Sequence, residues 1–344
     1  MQNNKIIVAA MAAVLVTPLA LAETANVNVY GTIDGGMRSV TTAGTTATNF
    51  GTGIYNSNRW GIKGTEDMGD GLKANFVLEG GFSTGTGALA SSPNLFGRIA
   101  TVGVVGGFGK IDLGRQFTVS FKAINAYQPF GQNYISLTNS FATPPSLIFN
   151  DNNISYTAKF DDLVVMAERT VPSTGNGSTS VSALGFRYVT DTVIAGAAYT
   201  ATKPAATVSL ADRKHYTAGG GLRFGGSKVY VGYVKDETTA TGPTTTGAKA
   251  SYMWLGATYD VSPKIGVTAA YFKRATEAAA TVAVPAAELR GSSVIVAGTY
   301  ALSKRTNFYI EADRTTAEAQ ALILPAAVTS SDTNGYSLGV AHLF

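Results

Sequence analysis

The chain contains no cysteine, which excludes disulfides and thiolate metal sites. It has two histidines, His215 and His342, and no recognisable motif places either with a serine or a carboxylate in the manner of a catalytic triad. Charge is scarce, with Asp, Glu, Lys and Arg together making up 14% of the 344 residues. The formal net charge of +4 is too small an excess to identify a partner by itself. After residue 22 no apolar run approaches the roughly 20 residues that a membrane-spanning helix needs. Gly103-Val-Val-Gly-Gly-Phe-Gly-Lys-Ile111 fails as a phosphate loop, because its glycine spacing is wrong and Ile111 stands where a Ser or Thr is required. The acids Glu66, Asp67 and Asp70 fall in a glycine-rich turn and read as solvated turn residues. No cofactor, no metal, no nucleic-acid partner and no enzymatic activity is expected.

What is present favours pleated structure. Hydrophobic residues make up 45% of the chain, with 39 Gly, 16 Tyr and 16 Phe, a mix that suits strands better than helices. Met1–Ala22 has Lys5, then the apolar stretch Ile6–Val16, then the small-x-small site Ala20-Leu21-Ala22. That is the pattern of a removable export signal, leaving residues 23–344 as one domain. Sixteen short runs with period-two character follow, the first at 26–39 and the last at 335–344. Tight links such as Gly225-Gly-Ser227 and Asp161-Asp162 follow even-numbered runs, and longer Ala/Thr/Gly/Ser-rich connections follow odd-numbered ones. Short turns on one side and long loops on the other describe an all-β, 16-stranded antiparallel transmembrane β-barrel. The last run ends abruptly on Phe344, as suits a strand that must close a barrel inside lipid, where an open edge is not tolerated. Aromatics near strand ends, among them Tyr30, Trp60, Tyr188, Tyr199, Phe224, Tyr259, Tyr300, Phe308 and Phe344, are candidates for interfacial girdles.

Four blocks carry a resemblance. They are Val29-Tyr-Gly-Thr-Ile-Asp-Gly-Gly36, the stretch Ser57-Asn-Arg-Trp-Gly-Ile-Lys-Gly-Thr-Glu-Asp-Met-Gly-Asp-Gly-Leu-Lys-Ala74, Leu95-Phe-Gly-Arg98 through Gln116, and the closing His342-Leu-Phe344. Together they resemble the general diffusion porins of Gram-negative bacteria, in the form typical of β-proteobacteria. The resemblance implies a homotrimer in the cell outer membrane, in contact with lipid and lipopolysaccharide and inserted by the barrel-assembly machinery, with His342 and Phe344 in the assembly signature. It also implies a long third loop folded into the lumen, and a basic ladder on the facing wall that includes Arg59 and Arg98.

Alternation supports the placement of those two arginines. Arg59 and Lys63 oppose Trp60 and Ile62, and Arg98 precedes Ile99; a Lys or Arg turned to mid-membrane lipid costs roughly 2–4 kcal/mol. The third arginine of the family's ladder is missing, since its place reads Ile148-Phe-Asn-Asp-Asn-Asn153. Arg38 is a candidate replacement. Arg115 shares parity with Ile111 and Leu113, which argues against the lumen; by resemblance it anchors the third loop or a neighbouring subunit. Between Leu113 and Asn150 the chain carries Arg115 and Lys122 and no Asp or Glu. A constriction with Arg59, Arg98, Lys63, Arg38 and Lys122 and no opposing acid on the loop predicts a channel for small hydrophilic solutes that prefers anions. Two other readings stay open: a substrate-specific channel for organic anions, phosphate or sugars, and a non-conducting surface or adhesive barrel.

Overall fold

The computed structural model describes residues 26–131, 133–134, 148–171, 180–204, 211–239, 247–277, 287–321 and 329–344. The export segment expected at 1–22 lies outside them. The chain runs through β1 (Asn26–Thr42), β2 (Thr45–Thr52), β3 (Arg59–Gly69), β4 (Leu72–Gly81), β5 (Ile99–Gly106) and β6 (Gly109–Phe117). A helix, α1 (Val119–Tyr127), precedes β7 (Phe149–Phe160), β8 (Leu163–Thr170), β9 (Ser180–Val189), β10 (Val193–Lys203) and β11 (Arg213–Phe224). The remaining strands are β12 (Ser227–Thr238), β13 (Lys249–Ser262), β14 (Ile265–Glu277), β15 (Ala287–Ala301), β16 (Thr306–Ala321) and β17 (Thr329–Leu343). Among the described residues no helix is long and apolar enough to cross a membrane.

All neighbours are antiparallel, and β1 pairs with β17 from Thr32↔Leu343 to Thr42↔Thr333, so the sheet closes on itself. The amide and carbonyl of Gly31 exchange hydrogen bonds of 3.0 and 3.1 Å with those of Phe344, extending the seam to the last residue. The seventeen strand segments fill sixteen barrel positions. β1 pairs along one half with β3, Asn26↔Thr65 to Thr32↔Arg59, and along the other with β2, Gly35↔Thr52 to Thr42↔Thr45. β2 and β3 are therefore two halves of one position, interrupted at residues 53–58. Asp34 holds that interruption: its carboxylate accepts the amides of Tyr55 and Asn56 and the hydroxyl of Tyr309.

Outward positions alternate as a lipid face requires. Tyr336, Leu338 and Val340 are exposed while Ser337 and Ala341 are buried. Tyr188, Tyr199, Phe224, Tyr259, Tyr300, Phe308 and Phe344 are likewise exposed. Tyr30 is a correction to the expected girdle: it turns into the lumen and donates its hydroxyl to Glu79 Oε2 at 2.9 Å.

One half of the barrel interior departs from a polar-in rule. Tyr230, Val234, Trp254, Phe272 and Ile295 point inward and are buried. They form one apolar cluster with Val119, Ala123, Ile124 and Tyr127 of α1 and with Phe130 and Tyr134 beyond it. The third loop is thus not an external loop but lies inside the cylinder, against β8 to β12. Burying these side chains favours the folded-in position by roughly 25 cal/mol per Å² of apolar surface removed from water. Residues 135–147 of the loop lie outside the described residues.

Candidate functional site

The loop enters the lumen through a capped helix. The Thr118 side chain accepts the amide of Phe121 at 3.1 Å, a standard N-cap, and the Glu168 carboxylate accepts the Val119 amide. At the far end Tyr127 is the anchor. Its ring stacks on Trp254 at 5.8 Å, its carbonyl accepts the Trp254 indole N–H at 3.0 Å, and its hydroxyl bonds with that of Thr217. Burial pushes the Tyr127 hydroxyl well above the usual tyrosine range. Gly196 and Gly219 leave the room this ring occupies; a Cβ at Gly219 would overlap it.

Docking one face of α1 on the wall turns the other toward the opposite side of the bore. There Phe121, Asn125, Gly131 and Asn133 face Arg59, Glu79 and Arg98 across a cavity of about 580 Å³. Arg98 Nε lies 2.6 Å from Glu79 Oε1, and Arg59 Nε 3.9 Å from Glu79 Oε2. Arg59 also donates to Asn56 Oδ1 at 2.9 Å. Two cations thus flank one carboxylate, leaving a single net positive charge on this wall. Glu79 is a site residue that sequence reasoning missed; alternation with Leu78 would have pointed it inward beside the arginines.

The place of the absent third arginine is taken by an aromatic. Phe149 stacks on Phe117, which stacks on Phe121, with centroids 4.6 Å apart in each pair. The Arg98 guanidinium lies 5.6 Å from the Phe149 centroid and 5.7 Å from that of Phe117. Such cation–π contacts hold the guanidinium plane without neutralising its charge. Arg115 is 5.1 Å from the same Phe149 ring. It also pairs with Asp151 at 2.5 Å and donates to the Gly97 carbonyl at 2.8 Å. Those bonds tie together the two strand ends that flank the third loop. The strict alternation that would keep Arg115 from the lumen breaks here, because the β6–β7 register shifts between Gly114 and Gln116.

The other expected site residues are dispersed. Lys63 lies 5.0 Å over the Tyr30 ring, in a separate basin near the short turns that also holds Lys73 and Lys110. Arg38 is committed elsewhere: it donates to Ser337, pairs with Asp313 at 2.7 Å and lies 3.6 Å from Glu311. Lys122 turns toward the wall rather than the bore, with Nζ 3.3 Å from Gln116 Oε1. Burial lowers its pKa below the ordinary lysine value, an effect opposed by the Glu168 and Asp112 carboxylates. His342 Nδ1 and the Thr306 hydroxyl are 2.9 Å apart at the barrel seam. Among the described residues no group of three or more His, Asp or Glu side chains is placed to hold a metal ion.

The closed β-cylinder is a fold shared with known proteins. A family model described as Gram-negative porin matches residues 9–320. The chain belongs to that family. It is 46% identical over 83 residues to an outer membrane porin protein of Bordetella pertussis, a stretch covering 24% of this chain and 22% of that one. It is 35% identical over 123 residues to outer membrane porin protein 32 of Delftia acidovorans, covering 35% and 34%. The chain thus spans about a fifth to a third of the length of these curated relatives. Among solved structures, an anion-selective porin from Comamonas acidovorans superposes with a TM-score of 0.76 at 23% identity, covering 93% of this chain and 100% of that one. An outer membrane protein of Vibrio cholerae, OmpT, solved in its trimer form, gives 0.70 at 17% identity over 94% of this chain and 100% of that one. At these identities the likeness speaks for the fold. Family and fold are those of a channel rather than an enzyme.

Proposed function

We propose that this porin forms a water-filled channel in the outer membrane for passive diffusion of small hydrophilic solutes and ions, with a preference for anions. The observation that carries the reading is the pairing of the uncharged loop residues Phe121, Asn125, Gly131 and Asn133 against a wall where Arg59 and Arg98 outnumber Glu79. A diffusion pore selects by bore, by lining and by the field at its narrowest point. Here the waist carries a net positive charge, because Glu79 offsets only one of the two arginines and no acid stands on the loop. Low-dielectric walls keep such a field from being fully quenched, and salt shortens its reach. The structural neighbour from Comamonas acidovorans is an anion-selective porin, which supports this reading by analogy.

In this reading Met1–Ala22 directs export and is removed, the barrel of residues 23–344 contacts lipid and lipopolysaccharide, and His342 and Phe344 present the assembly signature. The trimer form of the Vibrio cholerae neighbour supports a homotrimer. Arg115 serves the mouth of the third loop. Purified protein in a planar bilayer tests the reading. The expected result is a linear, non-saturating chloride conductance and a reversal potential of the sign set by chloride in a potassium chloride gradient. Potassium preference, or no conductance, would overturn it.

A further inference from the structure

A second cavity, of about 460 Å³, shares Asn125, Gly131 and Asn133 with the first but lies against β9 to β15. Arg187, Arg223 and Lys228 line it. Phe186, Tyr188, Leu222 and Phe224 are exposed on the outer face, which turns Arg187 and Arg223 inward by alternation. Arg223 and Lys228 are direct cross-strand partners, and like charges directly opposite one another destabilise a sheet. Neither they nor Arg187 make an ion pair or side-chain hydrogen bond among the described residues, and Arg223 Nε is buried without any acceptor. One carboxylate, Asp260, shares the cavity, together with the hydroxyls of Tyr230 and Thr258.

Three cations and one carboxylate converge on a space large enough for several water molecules, which leaves two positive charges without a counter-charge among the described residues that line it. Guanidinium forks match oxyanions better than they match chloride, because two parallel N–H groups meet two oxygens. The neighbouring hydroxyls add donors and acceptors suited to a partly protonated oxyanion. We infer that this cavity is a binding station for a small, multiply charged oxyanion of the phosphate type. The inference rests on the anion reading above and deepens it: the waist admits anions, and this station retains those with two negative charges.

The test is chloride current through the intact protein in a planar bilayer, with inorganic phosphate added at constant ionic strength. Phosphate is expected to reduce the current along a saturating curve. In Arg223→Gln/Lys228→Gln the half-inhibiting concentration should rise by at least about tenfold, as befits two lost charge-assisted bonds. The exposed Lys159→Gln, which removes charge elsewhere, should move it by less than about twofold. A block that never saturates, or an equal shift in the double variant and in Lys159→Gln, would overturn the station. If the double variant fails to assemble, Arg187→Gln alone is read the same way, with a shift of about fivefold or more supporting the proposal and none overturning it. Reversal potentials measured on the same channels separate the two failures. Chloride preference without saturable phosphate block sinks only the station, whereas potassium preference sinks the reading beneath it.

Discussion

The two sides of the bore handle their positive charges in opposite ways. On the β3–β5 side both arginines sit within 4 Å of one carboxylate, Arg98 at 2.6 Å and Arg59 at 3.9 Å from Glu79. On the β9–β12 side Arg187, Arg223 and Lys228 have no paired carboxylate among the described residues. The first arrangement fixes guanidinium planes in place on the wall that faces the third loop; the second leaves its charges without such a partner. Counting basic residues along the sequence does not distinguish these cases. What decides the field is which acids the strand register brings alongside.

Releasing the loop that divides the two sides should erase the contrast most completely. Tyr127→Ala removes a fully buried ring, its stack on Trp254 and its bond to Thr217, a loss of about 3–5 kcal/mol by analogy with core truncations. The expected outcome is a larger and noisier single-channel conductance with the heat resistance of the barrel retained, because the sheet itself is untouched. Gly219→Val acts from the other partner by filling the space the ring needs, at about 1–3 kcal/mol. It should move conductance in the same direction by less.

Glu79→Gln should deepen the contrast by freeing both arginines. Two unit charges about 4 Å apart interact by about 1 kcal/mol even at the dielectric of water, which sets the scale for an anion passing Glu79 closely. The chloride-to-potassium permeability ratio should therefore rise severalfold, and an unchanged ratio would mean that Glu79 lies outside the field of the path. The smallest effect concerns Lys122. Burial lowers its pKa, so it loses its charge at lower pH than an exposed lysine does. Anion preference should decline as pH rises, beginning before the exposed lysines titrate, and that early part should vanish in Lys122→Met. Because Lys122 turns toward Gln116 rather than the bore, the amplitude should be a fraction of that of Glu79→Gln.

The barrel was legible in the sequence because closure in lipid imposes a strict rhythm. Short turns alternate with long loops, and Tyr336, Leu338 and Val340 oppose Ser337 and Ala341. At Lys228–Asp236 and Lys264–Arg274 apolar residues stand on both faces of the strand, and the structure supplies the reason. Tyr230, Val234 and Phe272 face inward yet are apolar, since they receive the third loop rather than water. Resemblance and alternation both pointed to Arg59 and Arg98, which line a cavity opposite Phe121 and Asn125 of the third loop. Glu79, Arg187, Arg223 and Lys228 were not picked out, although Leu222-Arg223-Phe224 alternates as clearly as Arg59-Trp60 does. Their importance lies in which strands stand side by side, such as Arg223 opposite Lys228, and no linear pattern states that. Arg38 shows the converse: a basic residue at a promising position is spoken for by Asp313 and Glu311, some 275 residues away along the chain.

The most direct test of a positively biased, water-filled bore is the zero-current potential of the unmodified protein across a bilayer separating concentrated from dilute potassium chloride. A bore of this kind gives a potential of the sign set by chloride, which shrinks as both solutions are made more concentrated. A potential of the opposite sign, or one that ignores salt concentration, would contradict it.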